Sequence, residues 1–443
     1  MVDLPPMLKQ GDQARLFPVL ADTSRENRMA SIFLSVVPMV PALAEAVFGT
    51  VGVRIGKRSK VETFTEIVLN DSSDIKNRPD GLIVVTNAKS TWTALVEAKI
   101  GKAELAPDQV TRYLEAAKAN GIDAVITISN QFVARADQSP LSLPKLTLRK
   151  AGLYHWSWIW LRTQCEIIAY QQCVEGREQQ FILSELLRLL EHPGTGVERF
   201  SQMPSSWKDV VQSVSNQEKL KKTSTEVEET VAAWHSETRD LSLQLSSHVG
   251  QAVKVRMERK HLSDPGERLK DGVRTLAEEN VLRAAFDVPD GAADIDLVAD
   301  LARKTTIVGM KLKAPQDRKS TKARVNWLLR MLKEDDPRLH IRAHWPGRKP
   351  PSQKDLATLR NDPDAIDGDQ SGAVPHSFEV LLIEAGAKRF SGRRTFIEDV
   401  ERIVPEFYDL AFQYLRAWQA PPPKPVRTAA ITAEQESEDA QDE

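Results

Sequence analysis

Cysteine is scarce in this chain of 443 residues, which has two, Cys165 and Cys173. Two thiols make neither a disulfide framework nor a zinc cluster. Free cysteines pack as small apolar residues in a reducing compartment, so a cytoplasmic protein is expected. A phosphate loop is missing as well. No GxxxxGK[ST] occurs, and Gly194-Thr195-Gly196 is a lone glycine pair after a helix, so nothing points to ATP hydrolysis. The eight histidines are scattered. His340 and His344 are four apart, but "HIRAHW" reads as a strand, where that spacing makes no helical metal site. Long apolar runs are also lacking. Residues 1 to 28 hold no apolar centre of the kind a secretory leader needs. The stretch "MASIFLSVVPMVPALAEAVFGTVGV" contains Pro38, Pro41 and Glu45. A charge at mid-bilayer is costly, so this stretch is expected to be a buried helix broken near Pro38, with no membrane partner. The net charge of -2 excludes a uniformly basic coat for nucleic acid. There is no internal repeat.

What is present is enough apolar material, 41% of residues, for two or three cored domains. From about 24 to 200 the pattern reads helix, three strands, helix, two strands, helix. Met29, Ile32, Phe33, Val36 and Val37 share one face of the first helix. "KVETFTEIVL", "DGLIVVT" and "WTALVEAKI" are β-branched, partly alternating strands, the last two joined around residues 87 to 90. "PDQVTRYLEAAKANG" has Pro107 near its start and Gly121 past its end, as a helix should. "DAVITISNQ" and "LYHWSWIW" read as strands, and "REQQFILSELLRLLEH" as an amphipathic helix stopped by Pro193. Strands mixed with helices, one helix crossing between two strands, describe an α/β architecture.

The hairpin strands carry Asp80, Glu97 and Lys99, and core strands seldom tolerate charge without a use for it. Side chains at i and i+2 share a strand face. Val96, Ala98 and Ile100 therefore point one way, and Glu97 and Lys99 the other. Asp80 opens the adjacent strand, and neighbouring strands lie only ~5 Å apart. Two carboxylates thus converge beside an ammonium. Close carboxylates repel unless a cation sits between them, and oxygen ligands suit Mg²⁺ or Mn²⁺. A bound dication polarises a phosphoryl oxygen and lowers the pKa of its water, which Lys99 can orient or activate. The bland alternative is a surface salt bridge between Glu97 and Lys99, with Asp80 a turn residue.

Pro79-Asp80, followed seventeen positions after the aspartate by Glu97-Ala98-Lys99, resembles the PD-(D/E)xK nuclease superfamily, the restriction-endonuclease-like fold. Gln109 and Tyr113, four apart on the next helix, resemble the QxxxY element of its recombination-exonuclease-like branch. The resemblance spans about residues 24 to 165. It implies a central mixed sheet flanked by helices, and metal-dependent hydrolysis of phosphodiester bonds, in DNA rather than RNA. It implies that Asp80, Glu97 and the main-chain carbonyl of Ala98 hold Mg²⁺ or Mn²⁺, that Lys99 positions the attacking water, and that Gln109 and Tyr113 contact substrate or brace the site. Glu26, on the apolar face of the first helix, is either a further metal ligand or the last residue of a T-x-x-E capping box from Thr23. Glu66 reads as a solvated edge charge, and His155 as a strand residue rather than a base.

The reading divides the chain into a nuclease-like domain at 1–200, a helical connector at 206–255, an α+β domain of unassigned fold at 256–417 and an acidic, disordered tail at 418–443. Between Arg303 and Arg330 nine Lys or Arg face one acid, Asp317. Lys319, Lys322 and Arg324 surround a helix start, where backbone N–H groups also favour phosphate. They are expected to bind DNA, with a solvated basic face as the bland alternative. The competing overall reading is a non-catalytic nuclease-like binder or adaptor that acts through a protein partner of the second domain. Restriction, repair and antiviral defence all suit the enzyme reading. The residues leave oligomeric state, sequence preference and endo- or exonuclease action open.

Overall fold

The computed structural model describes residues 4–14, 16–17, 25–70, 78–144, 146–368 and 372–420. The protein is mixed α/β, with one six-stranded and one seven-stranded sheet among the described residues.

The first sheet contains β1 (Leu8–Gln13), β2 (Lys60–Leu69), β3 (Gly81–Thr86), β4 (Thr91–Ala98), β5 (Ala124–Ser129) and β6 (Gly152–Ser157), in that spatial order. Neighbours from β1 to β4 are antiparallel, and β4, β5 and β6 are parallel. A parallel step needs a crossover. Helix α3 (Pro107–Ala119) supplies the one between β4 and β5. On one face, α1 (Arg25–Val36), α2 (Pro41–Gly49), α4 (Trp158–Tyr170) and α5 (Arg177–Glu191) cover Ile83, Val85, Ala94, Val96 and Ala98. On the other, α3 covers Leu82, Val84 and Leu95 with Val110, Tyr113 and Leu114. The strands are therefore buried on both sides, which is why they read as near-continuous apolar runs.

The apolar stretch at the start breaks as expected. Helix α1 ends in a 3-10 turn at Val37–Met39, and α2 leaves at a 108° bend. Pro38 and Pro41 lack the N–H groups a continuous helix would use. No single helix among the described residues is long and apolar enough to cross a membrane. One segment departs from expectation. "LYHWSWIW" is a strand only to Ser157, whose hydroxyl then caps α4 by accepting from the Trp160 N–H at 3.1 Å. A run of aromatic and β-branched residues cannot distinguish a buried strand from a buried helix, and the serine cap decides the switch.

The second domain is built on an antiparallel sheet in the order β12-β11-β13-β10-β9-β8-β7. Its strands are β7 (Lys254–Val255), β8 (Val281–Asp287), β9 (Ile295–Asp300), β10 (Thr305–Lys313), β11 (Leu339–His344), β12 (Ser352–Asp355) and β13 (Ser377–Ala385). Its helices are α6 (Trp207–Ser215), α7 (Thr225–Val249), α8 (Arg259–Ser263), α9 (Pro265–Glu279), α10 (Thr321–Leu329), α11 (Leu356–Asn361), α12 (Ala387–Phe390) and α13 (Arg393–Leu410). The expected connector at 206–255 is helical, but it is no free arm. Val227, Val231, Trp234, Leu241 and Leu245 of α7 are buried in the same core as Trp207, Phe286, Phe396 and Phe407. Helix α7 also packs against α4 of the first domain, where the Ser247 hydroxyl donates to Glu166 and Gln171 Nε2 donates to the Gly250 carbonyl at 2.9 Å. Most of the acidic tail, from residue 421 onward, lies outside the described residues.

Candidate active site

The antiparallel register pairs Gly81 with Val96, so the next position in line sets Asp80 opposite Glu97. Opposed residues have Cβ atoms about 4.5–5.5 Å apart. Strand β3 begins at Gly81, so the ladder runs out there, and the Ala98 N–H is taken up by Asp80 Oδ2 at 2.7 Å. That bond anchors the Asp80 carboxylate beside the end of β4. Gly81 has a part in this. A Cβ there would lie 2.5 Å from Leu34 Cδ1 and 2.8 Å from the Phe64 carbonyl oxygen. Only glycine lets α1 approach the strand so closely, and α1 is the helix that carries Glu26.

Alternation along β4 turns Glu97 toward α3, opposite to Val96 and Ala98, as expected. Glu97 is 1% exposed. Its Oε1 meets Lys99 Nζ at 2.7 Å, while its Oε2 is buried without a hydrogen bond of ordinary geometry, and the Tyr113 hydroxyl beside the carboxylate helps hold it ionised. Lys99 Nζ also reaches Glu26 Oε2 at 3.4 Å. The backbone of Lys99 is pinned on two sides. Its N–H donates to the Ile128 carbonyl at 2.7 Å, and its carbonyl accepts from Trp158 Nε1 at 2.8 Å. On α3, Gln109 Nε2 donates to the Tyr113 hydroxyl at 3.0 Å, and that hydroxyl donates to the Arg78 carbonyl at 3.0 Å. The QxxxY pair thus braces the chain two residues before Asp80.

The electrostatics follow from burial. Desolvation, then the Glu97 charge, pushes the Asp80 carboxyl up from 3.8 to about 7, against the pull of the Ala98 N–H. Burial likewise raises Glu97, with Lys99 opposing. Burial acts to lower Lys99, but the hydrogen bond and charge of Glu97, then Glu26 and Asp80, raise it overall. Lys99 is therefore a held ammonium. It can orient a water and offset negative charge, but it is poorly suited to take a proton. Burial and the neighbouring Glu97 raise the Tyr113 phenol, which stays neutral.

Among the described residues, no three His, Cys, Asp or Glu side chains converge as a ready-made metal cage. The donor set still suits a hard dication. It consists of two buried carboxylates, the Glu97 charge raising Asp80, beside a main-chain edge at Ala98. Glu26 joins through Lys99. The capping-box alternative for Glu26 involves Thr23 and Ser24, which lie outside the described residues.

The other candidates are dispersed. Glu66 is exposed at a bulge in β2, with φ of 52°. His155 is a buried strand residue whose ring contacts the Thr127 hydroxyl at 2.9 Å and the Gln131 carbonyl at 3.0 Å. Burial lowers it to about 4, so it is neutral. In the second domain, Lys319 and Lys322 are exposed, with Lys322 at 3.9 Å from Asp364. Arg324 is committed inward, donating to the carbonyls of Arg318 and Pro375 at 2.7 Å each. It belongs to the loop scaffold, which no count of basic residues reveals. Trp158, which holds the Lys99 carbonyl, gives no signal of that role in the sequence, because its stretch reads as strand.

No protein-family model, curated protein or solved structure matches this chain.

Proposed function

We propose that the first domain is a metal-dependent nuclease with a restriction-endonuclease-like core that hydrolyses phosphodiester bonds in DNA. The observation that carries the reading is the juxtaposition of Asp80 and Glu97 at adjoining strand ends, with Lys99 Nζ 2.7 Å from Glu97 and the Ala98 N–H 2.7 Å from Asp80. A mixed sheet with helices on both faces and a QxxxY pair bracing the loop before Asp80 support it. Asp80, Glu97 and the Ala98 carbonyl would hold Mg²⁺ or Mn²⁺, with Glu26 the outer acid. Such an ion, when bound, supplies Lewis-acid polarisation of a phosphoryl oxygen and a water of lowered pKa. The chain's own groups do the rest. Lys99 holds its proton, orients the water and offsets charge on the phosphorane oxygens. Gln109 and Tyr113 keep the segment before Asp80 in register. Lys319 and Lys322 would guide the backbone of the substrate.

The test is cleavage of linear, nicked, supercoiled and single-stranded DNA with Mg²⁺ or Mn²⁺, beside Asp80→Ala and Lys99→Ala. Metal-dependent cutting that both substitutions remove, with folding retained, is the expected result. One observation favours a non-catalytic binder: Lys99 bridges Glu97 and Glu26 as a structural ion pair would. Equal DNA binding by all three proteins, with no cutting by any, would favour that second reading.

A further inference from the structure

A cavity of about 570 Å³ opens between the two domains, away from the carboxylate cluster. That volume falls within the ~300–1,000 Å³ typical of small-molecule sites. The first domain contributes Val133, Trp156 and Trp160, and the second contributes Arg239, Leu243 and Arg268. The charge of the lining is lopsided, with five Lys or Arg against Asp137 and Asp287. Both acids already face cations. Asp137 pairs with Arg135, and Asp287 lies 3.8 Å from Arg256.

Arg239 and Arg268 differ from the other cations. Among the described residues neither has a carboxylate within ion-pair distance. Arg239 Nη1 has one long contact, to Ser242 Oγ at 3.4 Å, and Arg268 Nη2 one to Thr238 Oγ1 at 3.4 Å. Burial depresses both guanidinium groups to about 10; the Asp240 charge partly offsets this for Arg239, and the charge of Arg239 adds to it for Arg268. The nearby His235 is neutral, lowered to about 3 by burial and by Arg268. Arg239 and Arg268 are half-buried on the cleft wall, and two like charges facing one cleft favour an anion between them. The planar forks of arginine match phosphate oxygens in bidentate fashion. Next to them, Trp156 and Trp160 stack at 6.3 Å between ring centres and 28° between planes, with Leu243 and Met257 also on the cavity wall. An aromatic and aliphatic wall suits a nucleobase.

We propose that this interdomain cleft binds a free nucleotide, its phosphate held by Arg239 and Arg268 and its base against the Trp160 wall. The site touches both domains, so its occupant ties them together. The proposal does not rest on the nuclease reading.

The test uses the full chain without added metal, titrated by calorimetry and thermal shift. The probes are AMP, GMP, ATP, adenosine, inorganic phosphate, succinate and a single-stranded 12-mer. At least one nucleotide should bind ten-fold or more tightly than adenosine, phosphate or succinate, and should raise the melting temperature. Arg239→Gln and Arg268→Gln should each weaken that binding at least ten-fold. Each should leave the ligand-free melting temperature unchanged or higher, because repulsion between two half-buried cations is relieved. Asp80→Ala should bind the nucleotide as the wild type does, which separates this site from the carboxylate cluster. Four outcomes would overturn the proposal: no nucleotide binds, either arginine variant binds unchanged, succinate or phosphate binds as well as any nucleotide, or the 12-mer alone competes for the site. A fall in ligand-free stability of both variants with nucleotide binding intact would make the arginines structural.

Discussion

The two sheets treat charge in opposite ways. On the second sheet most paired charges sit in partly exposed, mutually satisfied groups, although burial with Asp294 and Glu379 pushes Asp296 of β9 up to about 6. Arg338 meets Asp336, Glu384 and Glu406 at 2.7, 3.0 and 3.1 Å. Glu379 gathers Arg342 and His344 at 3.0 and 2.9 Å. At the ends of the two central strands of the first sheet, charge is buried and poorly offset: Glu97 Oε2 lacks a hydrogen bond of ordinary geometry, and Asp80 is pushed toward neutrality. Networks of the first kind are ordinary surface electrostatics. A buried carboxylate without a full set of partners costs stability and persists where chemistry needs it. The proposed chemistry sits with the buried carboxylates of the first sheet, although α7 of the second domain also holds a buried carboxylate without hydrogen-bond partners, Glu237.

The largest effect should come from Asp80→Ala or Lys99→Ala, either of which should lower metal-dependent DNA cleavage by at least ~10²-fold, as loss of a charge-stabilising group does. Arg338→Ala, measured in the same assay, should leave cleavage within about two-fold, since its partners are a surface network. If the two sheets responded alike, the contrast would fail.

Next in size is Gly81→Val. The added side chain would press on Leu34 and the Phe64 carbonyl, at a cost of about 1–3 kcal/mol. Chemical denaturation should show the loss, and cleavage should fall with it, because α1 and Glu26 are displaced together.

A pH effect of intermediate size follows from Asp80. Its folded pKa lies near 7 against an ordinary 3.8, so the folded state holds the proton more tightly than the unfolded state. The neutral form is favoured on folding, and stability must fall as pH rises from about 4 to about 7, then level off. One such group gives a slope of at most about 1.4 kcal/mol per pH unit. Thermal melts across this range should show a shallower slope for Asp80→Asn than for the wild type. Glu97, also raised, acts in the same direction in both proteins. Equal slopes would remove Asp80 from the account.

The smallest effect concerns the basic segment. Reversing Lys319 and Lys322 to Glu should leave melting unchanged, weaken DNA binding and reduce the salt slope by about 2. Arg324→Glu should instead lower the melting temperature, since it forfeits the bonds to Arg318 and Pro375. An unchanged salt slope in the double reversal would confine nucleic-acid contact to the first domain.

Much of the first domain was legible because its determinants are local. Alternation, the Asn87–Ser90 turn, Pro107 and Gly121 mark β3, β4 and α3, and the i, i+2 rule alone puts Glu97 and Lys99 on one face. The hidden parts depend on long-range contacts. Strand β1 is "LKQGDQ", mostly polar and exposed, and is a strand only because it pairs with β2. Helix α4 hides in an aromatic run that satisfies either period. Arg324 looks like any surface cation until the Pro375 carbonyl meets it, and Arg239 and Arg268 look like solvated helix residues until the first domain closes over them.

The most direct measurement is a Mn²⁺ titration followed by electron paramagnetic resonance, on the wild type and on Asp80→Asn. The account predicts one bound ion per chain in the wild type, weakened at least ten-fold by the substitution, with Mg²⁺ competing. Absence of Mn²⁺ binding by the folded wild type, or binding that Asp80→Asn leaves intact, would contradict it.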